Sequence, residues 1–260
     1  MVHGSGFGPM NFITAITSLN AASPANRLLK YADDCYLLIP SSNSASVTLE
    51  LDHISRWAAD CNLKLNQKKT SEMIIHRPRV GLGNLTAPGT TTGLARVTSM
   101  VILGVTISDD LRFNNHVQRL CCQARQSFYA LRTLVAHGLR GLHLYDVVRA
   151  TTLARMLYAS PAWWGFVGQR DKDRFEVLMR RLIRYHYLPG DSLSFEQLCI
   201  KADSRLFSSI LVDNGHVLHE LLPPIKTSKY SLRPRAHDRI IPPADNLMRK
   251  NFITRMIYKV

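Results

Sequence analysis

The chain has 260 residues, 46% of them hydrophobic, which is enough to bury a core in one large or two small domains. Lysine and arginine exceed aspartate and glutamate by 33 − 19 = 14, and the isoelectric point is near 9.9. This balance favours a polyanionic partner, because lysine and arginine that neutralise phosphates gain free energy by releasing counterions.

Nothing in the sequence predicts export or membrane insertion. The first residues lack a basic region followed by an apolar core and a cleavage site. The apolar runs are far shorter than the roughly 20 residues of a membrane helix. The five cysteines form an odd set without a Cys-x-x-Cys pair, which argues against a disulfide framework or a zinc knuckle. We therefore expect a cytoplasmic or nuclear protein that is not secreted and has no membrane partner.

The first hundred residues mix helical and strand patterns. A helix is predicted over 8–19, and a hairpin over 26–40, where short apolar runs flank Tyr31-Ala32-Asp33-Asp34. Ser44 is the predicted cap of the next helix. The apolar positions of that helix recur at three- and four-residue steps: Val47, Leu51, Ile54, Ala58 and Cys61. Strands are predicted over 70–76 and 97–107, with a glycine- and proline-rich loop over 78–93 between them.

After Asp109 the apolar spacing becomes helical for most of the chain. One helix is predicted from Val117 to Val135, with Gly138 as its stop, and others over 142–158 and 172–187. Residues 112–184 contain thirteen lysines and arginines against four acidic residues. From His216 the chain is predicted to be an extended basic arm or a disordered linker, closing with a short helix over 246–258.

Asp33 and Asp34 lie at the predicted hairpin turn. An unpaired carboxylate is too costly to bury in a core, and oxygen ligands with open positions suit Mg²⁺ that also holds phosphates. An ordinary Asp-Asp turn is the alternative, since aspartate is common in turns.

Tyr31-Ala32-Asp33-Asp34 resembles the Tyr-x-Asp-Asp palm signature of reverse transcriptases. Other segments resemble the reverse transcriptases of non-LTR (LINE-type) retrotransposons in the same order along the chain. The palm-like segments are Gly4-Ser5-Gly6-Phe7-Gly8-Pro9, Leu65-Asn66-Gln67-Lys68-Lys69-Thr70 and Leu103-Gly104-Val105-Thr106-Ile107. The thumb-like and C-terminal segments are Tyr129-Ala130-Leu131-Arg132, Tyr158-Ala159-Ser160-Pro161-Ala162-Trp163-Trp164 and Tyr230-Ser231-Leu232-Arg233-Pro234-Arg235.

The resemblance implies an α+β fold. A partial reverse-transcriptase palm, an antiparallel sheet with helices, is expected at 1–108, and a mostly helical thumb-like domain at 109–190. A helical, proline- and arginine-rich extension is expected at 191–260. In the intact family, deoxynucleotides are added to a primer on an RNA template with Mg²⁺. The basic face of the thumb, including Arg180, Arg181 and Arg184, is then expected to lie along the RNA–DNA duplex.

The resemblance also implies catalytic roles for three residues. Asp33 matches the metal ligand of the family, and Asp34 either binds the metal more loosely or orients the hairpin. Lys69 matches a lysine that protonates the departing pyrophosphate, with a solvated turn lysine as the equal alternative.

Further positions are implied to lie near the nucleotide and primer. These positions are Gly4, Ser5, Gly8 and Tyr31. A core position is the alternative for Tyr31, because aromatic residues at strand ends are usually buried. Trp163 and Trp164 are candidate base-stacking platforms, but the large area that a tryptophan buries favours core packing.

The chain also departs from the family pattern. The third carboxylate of the family belongs to a strand before the Gly-Ser motif, and here Met1 stands three residues before Gly4. His3 replaces a glutamine. Since two metal ions about 3.5–4 Å apart need several anionic ligands, we expect a truncated polymerase that is inactive alone. The alternative is a noncatalytic nucleic-acid-binding remnant that keeps the basic thumb surface.

Overall fold

The computed structural model describes residues 7–76, 89, 93–226 and 237–259. The chain divides into two compact units. Unit 1 is Met1–Ile74 with Arg79–Thr98, and unit 2 is Ile75–Pro78 with Ser99–Val260. Helices and small sheets both occur, so the predicted α+β class is confirmed. Within these ranges, no helix has the length and apolar character needed to cross a membrane.

Unit 1 combines two helices with two small sheets in its described part. The helices are α1 (Phe7–Thr17) and α2 (Val47–Asp60), and the strands are β1 (Arg27–Tyr31), β2 (Asp34–Leu38), β3 (Ser71–Glu72) and β4 (Ala95–Arg96). The antiparallel pair β1–β2 confirms the predicted hairpin, and Tyr31 pairs with Asp34 so that Ala32 and Asp33 alone form the turn. Strands β3 and β4 pair in parallel.

Two boundaries predicted for unit 1 are wrong. The helix expected after Ser44 begins only at Val47, because Ser41–Ser46 forms 3₁₀ turns in which the Ser46 hydroxyl donates to the Asn43 carbonyl. Serine and asparagine favour such local bonds over regular helix. The strand predicted over 70–76 has only the two residues of β3. The predicted loop over 78–93 lies outside the described residues except for Gly89 and Gly93.

Unit 2 begins with a hairpin and continues mainly as helices. The hairpin strands are β5 (Ser99–Ile102) and β6 (Val105–Ser108). The helices are α3 (Asn114–Ala136), α4 (Gly141–Val148), α5 (Ala154–Leu157), α6 (Ser160–Trp163), α7 (Gln169–Arg184), α8 (Phe195–Val212) and α9 (Phe252–Ile257). A π-helical stretch, Arg149–Leu153, joins α4 to α5, so the helix predicted over 142–158 is not a regular α-helix.

The single strand predicted over 97–107 is the β5–β6 hairpin. Leu103 and Gly104 have φ values of 45° and 83°, and they form a two-residue turn between the paired strands. Such turns match the twist of the strands but are unfavourable for leucine. The Tyr158 hydroxyl donates to the Leu103 carbonyl at 3.0 Å, and the Arg119 guanidinium donates to the Gly104 carbonyl. These two bonds hold a turn whose left-handed backbone is unfavourable for Leu103.

Helix α3 confirms the apolar stripe predicted for it. Its buried hydrophobic residues are Val117, Leu120, Cys121, Ala124 and Leu131. Gly138 has a φ of 92°, and its N–H donates to the Val135 carbonyl while the Leu139 N–H donates to the Leu134 carbonyl. This pair of bonds is a Schellman motif, so Gly138 ends the helix as predicted.

An aromatic cluster forms the centre of unit 2. Trp163, Trp164, Phe175 and Phe195 are all buried, and the rings of Phe175 and Phe195 stack with centroids 4.4 Å apart. Trp164 meets Phe195 edge-on at 5.4 Å. Each such pair contributes about 0.5–1.5 kcal/mol beyond the area it buries. The core interpretation of both tryptophans is therefore confirmed.

The C-terminal residues 237–259 are folded against α8. Arg255 of α9 pairs with the buried Asp203 of α8 at 2.9 Å. Its guanidinium also donates to the carbonyls of Lys250 and Pro161 at 2.8 and 3.3 Å. These contacts exclude a disordered linker for 237–259, while the basic arm over 230–235 lies outside the described residues.

Gly165→Ala should destabilise unit 2. A Cβ at this position would overlap the Arg255 guanidinium and the backbone carbonyl of Lys250. The forced shift should cost about 1–3 kcal/mol of unfolding free energy, measured by urea denaturation. Gly190→Ala is the control, because a Cβ there meets no atom within 4 Å. Equal stability of the two variants would contradict the close packing of the Arg255 guanidinium against Gly165.

Candidate metal and nucleic-acid sites

The turn of the β1–β2 hairpin exposes two neighbouring carboxylates. Ala32 has a φ of 49°, in the left-handed region, and Asp33 and Asp34 follow it with exposed side chains. Tyr31, paired with Asp34 across the hairpin, is 64% exposed. The alternative core position of Tyr31 is therefore wrong, and the three side chains share one solvent-facing tip.

The two carboxylates of this tip are candidate ligands for a divalent cation. Neither carboxylate forms an ion pair with a lysine or arginine in the part of the chain that the structure describes. Asp34 receives a long hydrogen bond from the Tyr36 hydroxyl at 3.4 Å. Hard oxygen ligands with open positions suit Mg²⁺. Over the same residues, no group of three or more His, Cys, Asp or Glu side chains gathers to hold a metal.

Lys30 anchors the hairpin to the end of α1. Its ammonium donates to the carbonyls of Ile16 and Leu19 at 2.9 and 2.7 Å. The last carbonyls of a helix have no partner within the helix, and a positive charge there also complements the helix dipole. One β1 side chain thus fixes where the strand lies relative to α1.

Glu50 of α2 holds the segment that leads into β1. Its side chain is fully buried, and its carboxylate accepts from the backbone N–H groups of Ala22 and Ser23 at 2.9 and 2.8 Å. The Asn26 amide donates to it at 2.8 Å. Burial alone would raise the pKa of Glu50, but the bonds from Ala22, Asn26 and Ser23 hold it below its ordinary value. Glu50 is therefore ionised at neutral pH.

Asn26 extends this network towards the start of α2. Its amide also donates to the Ser46 hydroxyl at 2.8 Å, and its carbonyl oxygen accepts from the Asn43 amide at 2.8 Å. Sequence reasoning missed Asn26, Lys30 and Glu50 as positioning residues. Glu50 was detectable, because it falls between Val47 and Ile54 on the face that was predicted to be apolar.

The structure does not join the other predicted site residues to the tip. Lys69 is exposed in a turn where its backbone N–H donates to the Asn66 carbonyl at 3.0 Å. Among the residues that the structure covers, no hydrogen bond or ion pair links its side chain to Asp33 or Asp34. Gly8 lies in α1, and Gly4 and Ser5 are outside the described ranges.

Helix α7 presents an arginine face, formed by Arg180, Arg181 and Arg184. All three side chains are exposed, while Leu178 and Leu182 of the same helix are buried. The arginines line a shallow groove of ≈ 430 Å³ together with Val177. No ion pair to any of the three occurs within 7–76, 93–226 and 237–259. Unpaired guanidinium groups match phosphate oxygens in charge and in geometry.

No protein-family model, curated protein or solved structure matches this chain. Its function is therefore inferred from the hairpin tip, the arginine face and the sequence motifs.

Glu50→Gln should destabilise unit 1 by about 1.5–3 kcal/mol at neutral pH, the range for hydrogen bonds to a charged group. The Glu50 pKa is lowered in the folded protein, so its stabilisation is complete above the unfolded value. That stabilisation is lost as the pH falls through the folded value. Amide hydrogen exchange at Ala22 and Ser23 measures it directly.

The control is Asp52→Asn, which removes one charge from an exposed position of the same helix. It should leave exchange at Ala22 and Ser23 unchanged. A Glu50→Gln variant whose deficit stays constant from neutral pH to about pH 3 would contradict the ionised state of Glu50.

Proposed function

We propose that the chain is a portion of an RNA-directed DNA polymerase of the reverse-transcriptase type. In this proposal the hairpin tip binds Mg²⁺ and the arginine face binds the phosphates of an RNA–DNA duplex. The observation that carries the proposal is the pair of adjacent, exposed carboxylates in the tight turn of Tyr31-Ala32-Asp33-Asp34, which form no ion pair with any residue that the structure describes. Deoxynucleotides are the substrates of the complete polymerase.

Asp33 and Asp34 would hold the metal, and the contacts of the β1–β2 hairpin keep their turn in a fixed conformation. A bound Mg²⁺ would neutralise charge on the phosphates of an incoming deoxynucleotide. The left-handed conformation of Ala32 costs about 1–2 kcal/mol. It is maintained by the β1–β2 ladder on one side and by the Lys30 bonds to α1 on the other. Strain kept at a turn by its surroundings is frequent where side chains act on a ligand.

The arginine face supports the nucleic-acid part of the proposal. The apolar face of α7 is buried through Phe175, Leu178 and Leu182. The three arginines lie on the opposite face, so their charges stay in solvent and are not desolvated by folding. Phosphate contacts of this kind orient a duplex without reading its sequence.

A noncatalytic nucleic-acid-binding protein is the second candidate. The observation that favours it is the two-carboxylate composition of the tip, since in-line phosphoryl transfer uses two metals held by several anionic ligands. In this candidate the arginine face is the whole function.

The hairpin tip should bind one Mn²⁺, used as a paramagnetic substitute for Mg²⁺. Binding, followed by the loss of the free Mn²⁺ electron paramagnetic resonance signal, should disappear in the double variant Asp33→Asn, Asp34→Asn. The reason is that both changes remove the anionic oxygen ligands. The matched control is Asp109→Asn, Asp110→Asn, the other adjacent aspartate pair, whose Asp110 already pairs with Arg112.

Equal binding by both double variants would refute a metal site at the tip. Metal binding at the hairpin tip separates the two candidate functions, because the noncatalytic candidate needs only the arginine face. We expect no extension of a primed RNA template by the chain alone, because two carboxylates hold at most one metal firmly. Extension that requires Asp33 would instead show a complete polymerase site.

RNA–DNA duplex binding should fall steeply with salt. Replacing Arg180, Arg181 and Arg184 together by Gln should reduce the slope of log K against log salt by up to about 2.7, at about 0.9 for each phosphate neutralised. Fluorescence anisotropy with a labelled duplex at several salt concentrations measures this change. The control triple variant replaces Arg125, Arg132 and Arg140, which are also exposed. A flat salt response of the wild-type protein, or an equal loss in both variants, would exclude the α7 face as the binding surface.

A further inference from the structure

A second polar site lies within unit 2, beneath the turn of the β5–β6 hairpin. It is a pocket of ≈ 370 Å³ between α3 and α5. The polar residues that line it are His116, Arg119, Gln123, Arg155 and Tyr158. No residue of the arginine face contributes to it, and no aspartate or glutamate appears among the described residues of its wall.

His116 lines this pocket and is itself almost completely buried. The residue is 1% exposed, and its Nδ1 accepts from the Thr106 backbone N–H at 3.3 Å. An accepting Nδ1 leaves the proton of a neutral imidazole on Nε2. Burial, together with the nearby charge of Arg119, lowers the pKa of His116 to about 4, so the ring is neutral. Its Nε2 has no hydrogen-bond partner among the described residues.

Arg119 also carries a buried donor that has no hydrogen-bond partner within the described part of the chain. Its Nη2 donates to the Gly104 carbonyl and also lies 3.4 Å from the His116 Nδ1, but its buried Nε has no partner in the described structure. A buried donor without an acceptor is costly, and such groups are rare in native proteins. His116 and Arg119 both line the pocket, so its wall is rich in donor groups and suits a ligand that brings acceptor oxygens.

The charge of the pocket defines that ligand further. Arg119 and Arg155 supply two positive charges, and Arg155 is exposed without an ion pair to any residue that the structure describes. A phosphomonoester carries about −1.5 to −2 at neutral pH and three strong acceptor oxygens, whereas a phosphodiester carries a single charge. Two guanidinium groups around a concave site therefore match the monoester better than the strand backbone.

We propose that this pocket binds a phosphomonoester group, presented by a free mononucleotide or by the phosphorylated end of a nucleic-acid strand. Arg155 and Arg119 pair with the phosphate oxygens, and the Gln123 amide donates to them. The Tyr158 hydroxyl, which already donates to the Leu103 carbonyl, remains an acceptor at the rim. The pocket shares no lining residue with the hairpin tip or with the arginine face.

Isothermal titration of the full chain with inorganic phosphate and with adenosine 5′-monophosphate tests the site. Arg155→Gln should weaken both ligands by about tenfold or more, the loss expected for one charge-assisted contact. Arg132→Gln, an equal charge change at an exposed α3 position, is the control and should leave affinity unchanged.

A second variant fills the pocket without altering charge. Ala154 is exposed and lines the pocket, so Ala154→Phe should abolish phosphate binding, whereas Ala130→Phe, on exposed α3 surface, should not. Circular dichroism confirms that each variant is folded. The absence of phosphate binding in the wild-type protein, or an equal loss in either control, overturns the proposal.

The source of the phosphate is decided by two oligonucleotides of one sequence, bearing a 5′-phosphate or a 5′-hydroxyl. Tighter binding of the phosphorylated strand, lost in Ala154→Phe, assigns the pocket to strand ends. Equal binding of both strands, with adenosine 5′-monophosphate still bound, assigns it to free mononucleotides.

Discussion

The buried carboxylate of Glu50 is the interaction on which unit 1 depends. Among the unit 1 side chains whose burial the structure describes, from residue 12 onward, the buried hydrophobic ones are Ile16, Leu19 and Ala58, whereas unit 2 buries a large aromatic cluster. So little apolar burial specifies position poorly, because hydrophobic contacts are not directional. The hydrogen bonds from Ala22, Ser23 and Asn26 are directional, and they fix the residues that lead into β1. The carboxylate tip is therefore placed by polar contacts.

In unit 2 the arginine face is positioned by apolar packing rather than by polar contacts. The inner face of α7 packs Phe175, Leu178 and Leu182 into the core, and this packing determines which way the arginines of the same helix point. Their position comes from the apolar packing behind them. Arg184 donates to the neighbouring Tyr185 hydroxyl at 3.3 Å, and none of the three arginines forms an ion pair among the described residues. Removing their charges leaves the contacts that hold the helix intact.

Local patterns made the hairpin over 26–40, α3 and α7 predictable. Short apolar runs flank the turn of the hairpin, and the stripes of the two helices report faces that are buried in the structure. Patterns failed where tertiary contacts decide. An unbroken apolar run, Met100 to Leu103, leads into Gly104, and the bonds from Tyr158 and Arg119 help to hold the turn there. Helix α8 was missed although Ser194 and Gln197 form a capping box, a signal that sequence reasoning did not use.

The candidate site was only half predictable for a related reason. Asp33 and Asp34 stand out because two adjacent carboxylates lie at a turn between apolar runs, whereas Lys30 looks like an ordinary surface charge and only the position of Glu50 on an apolar helix face indicates its burial. Their roles depend on which backbone groups the fold leaves unpaired, namely the α1 carbonyls and the N–H groups of Ala22 and Ser23. No spacing rule encodes those partners.

The net charge of +14 and the acidic tip impose opposite demands on a nucleic-acid ligand. Lysine and arginine attract the phosphates over a distance comparable with the Debye length, about 8 Å at physiological ionic strength. Asp33 and Asp34 repel any phosphate that comes close, unless a cation lies between them. A divalent ion at the tip would convert that local repulsion into a bridge to a phosphate, since its charge exceeds what one carboxylate neutralises. The arginine face needs no such ion. Dependence on a metal should therefore be a property of the hairpin alone, and this difference is what separates a polymerase site from a surface that only binds nucleic acid.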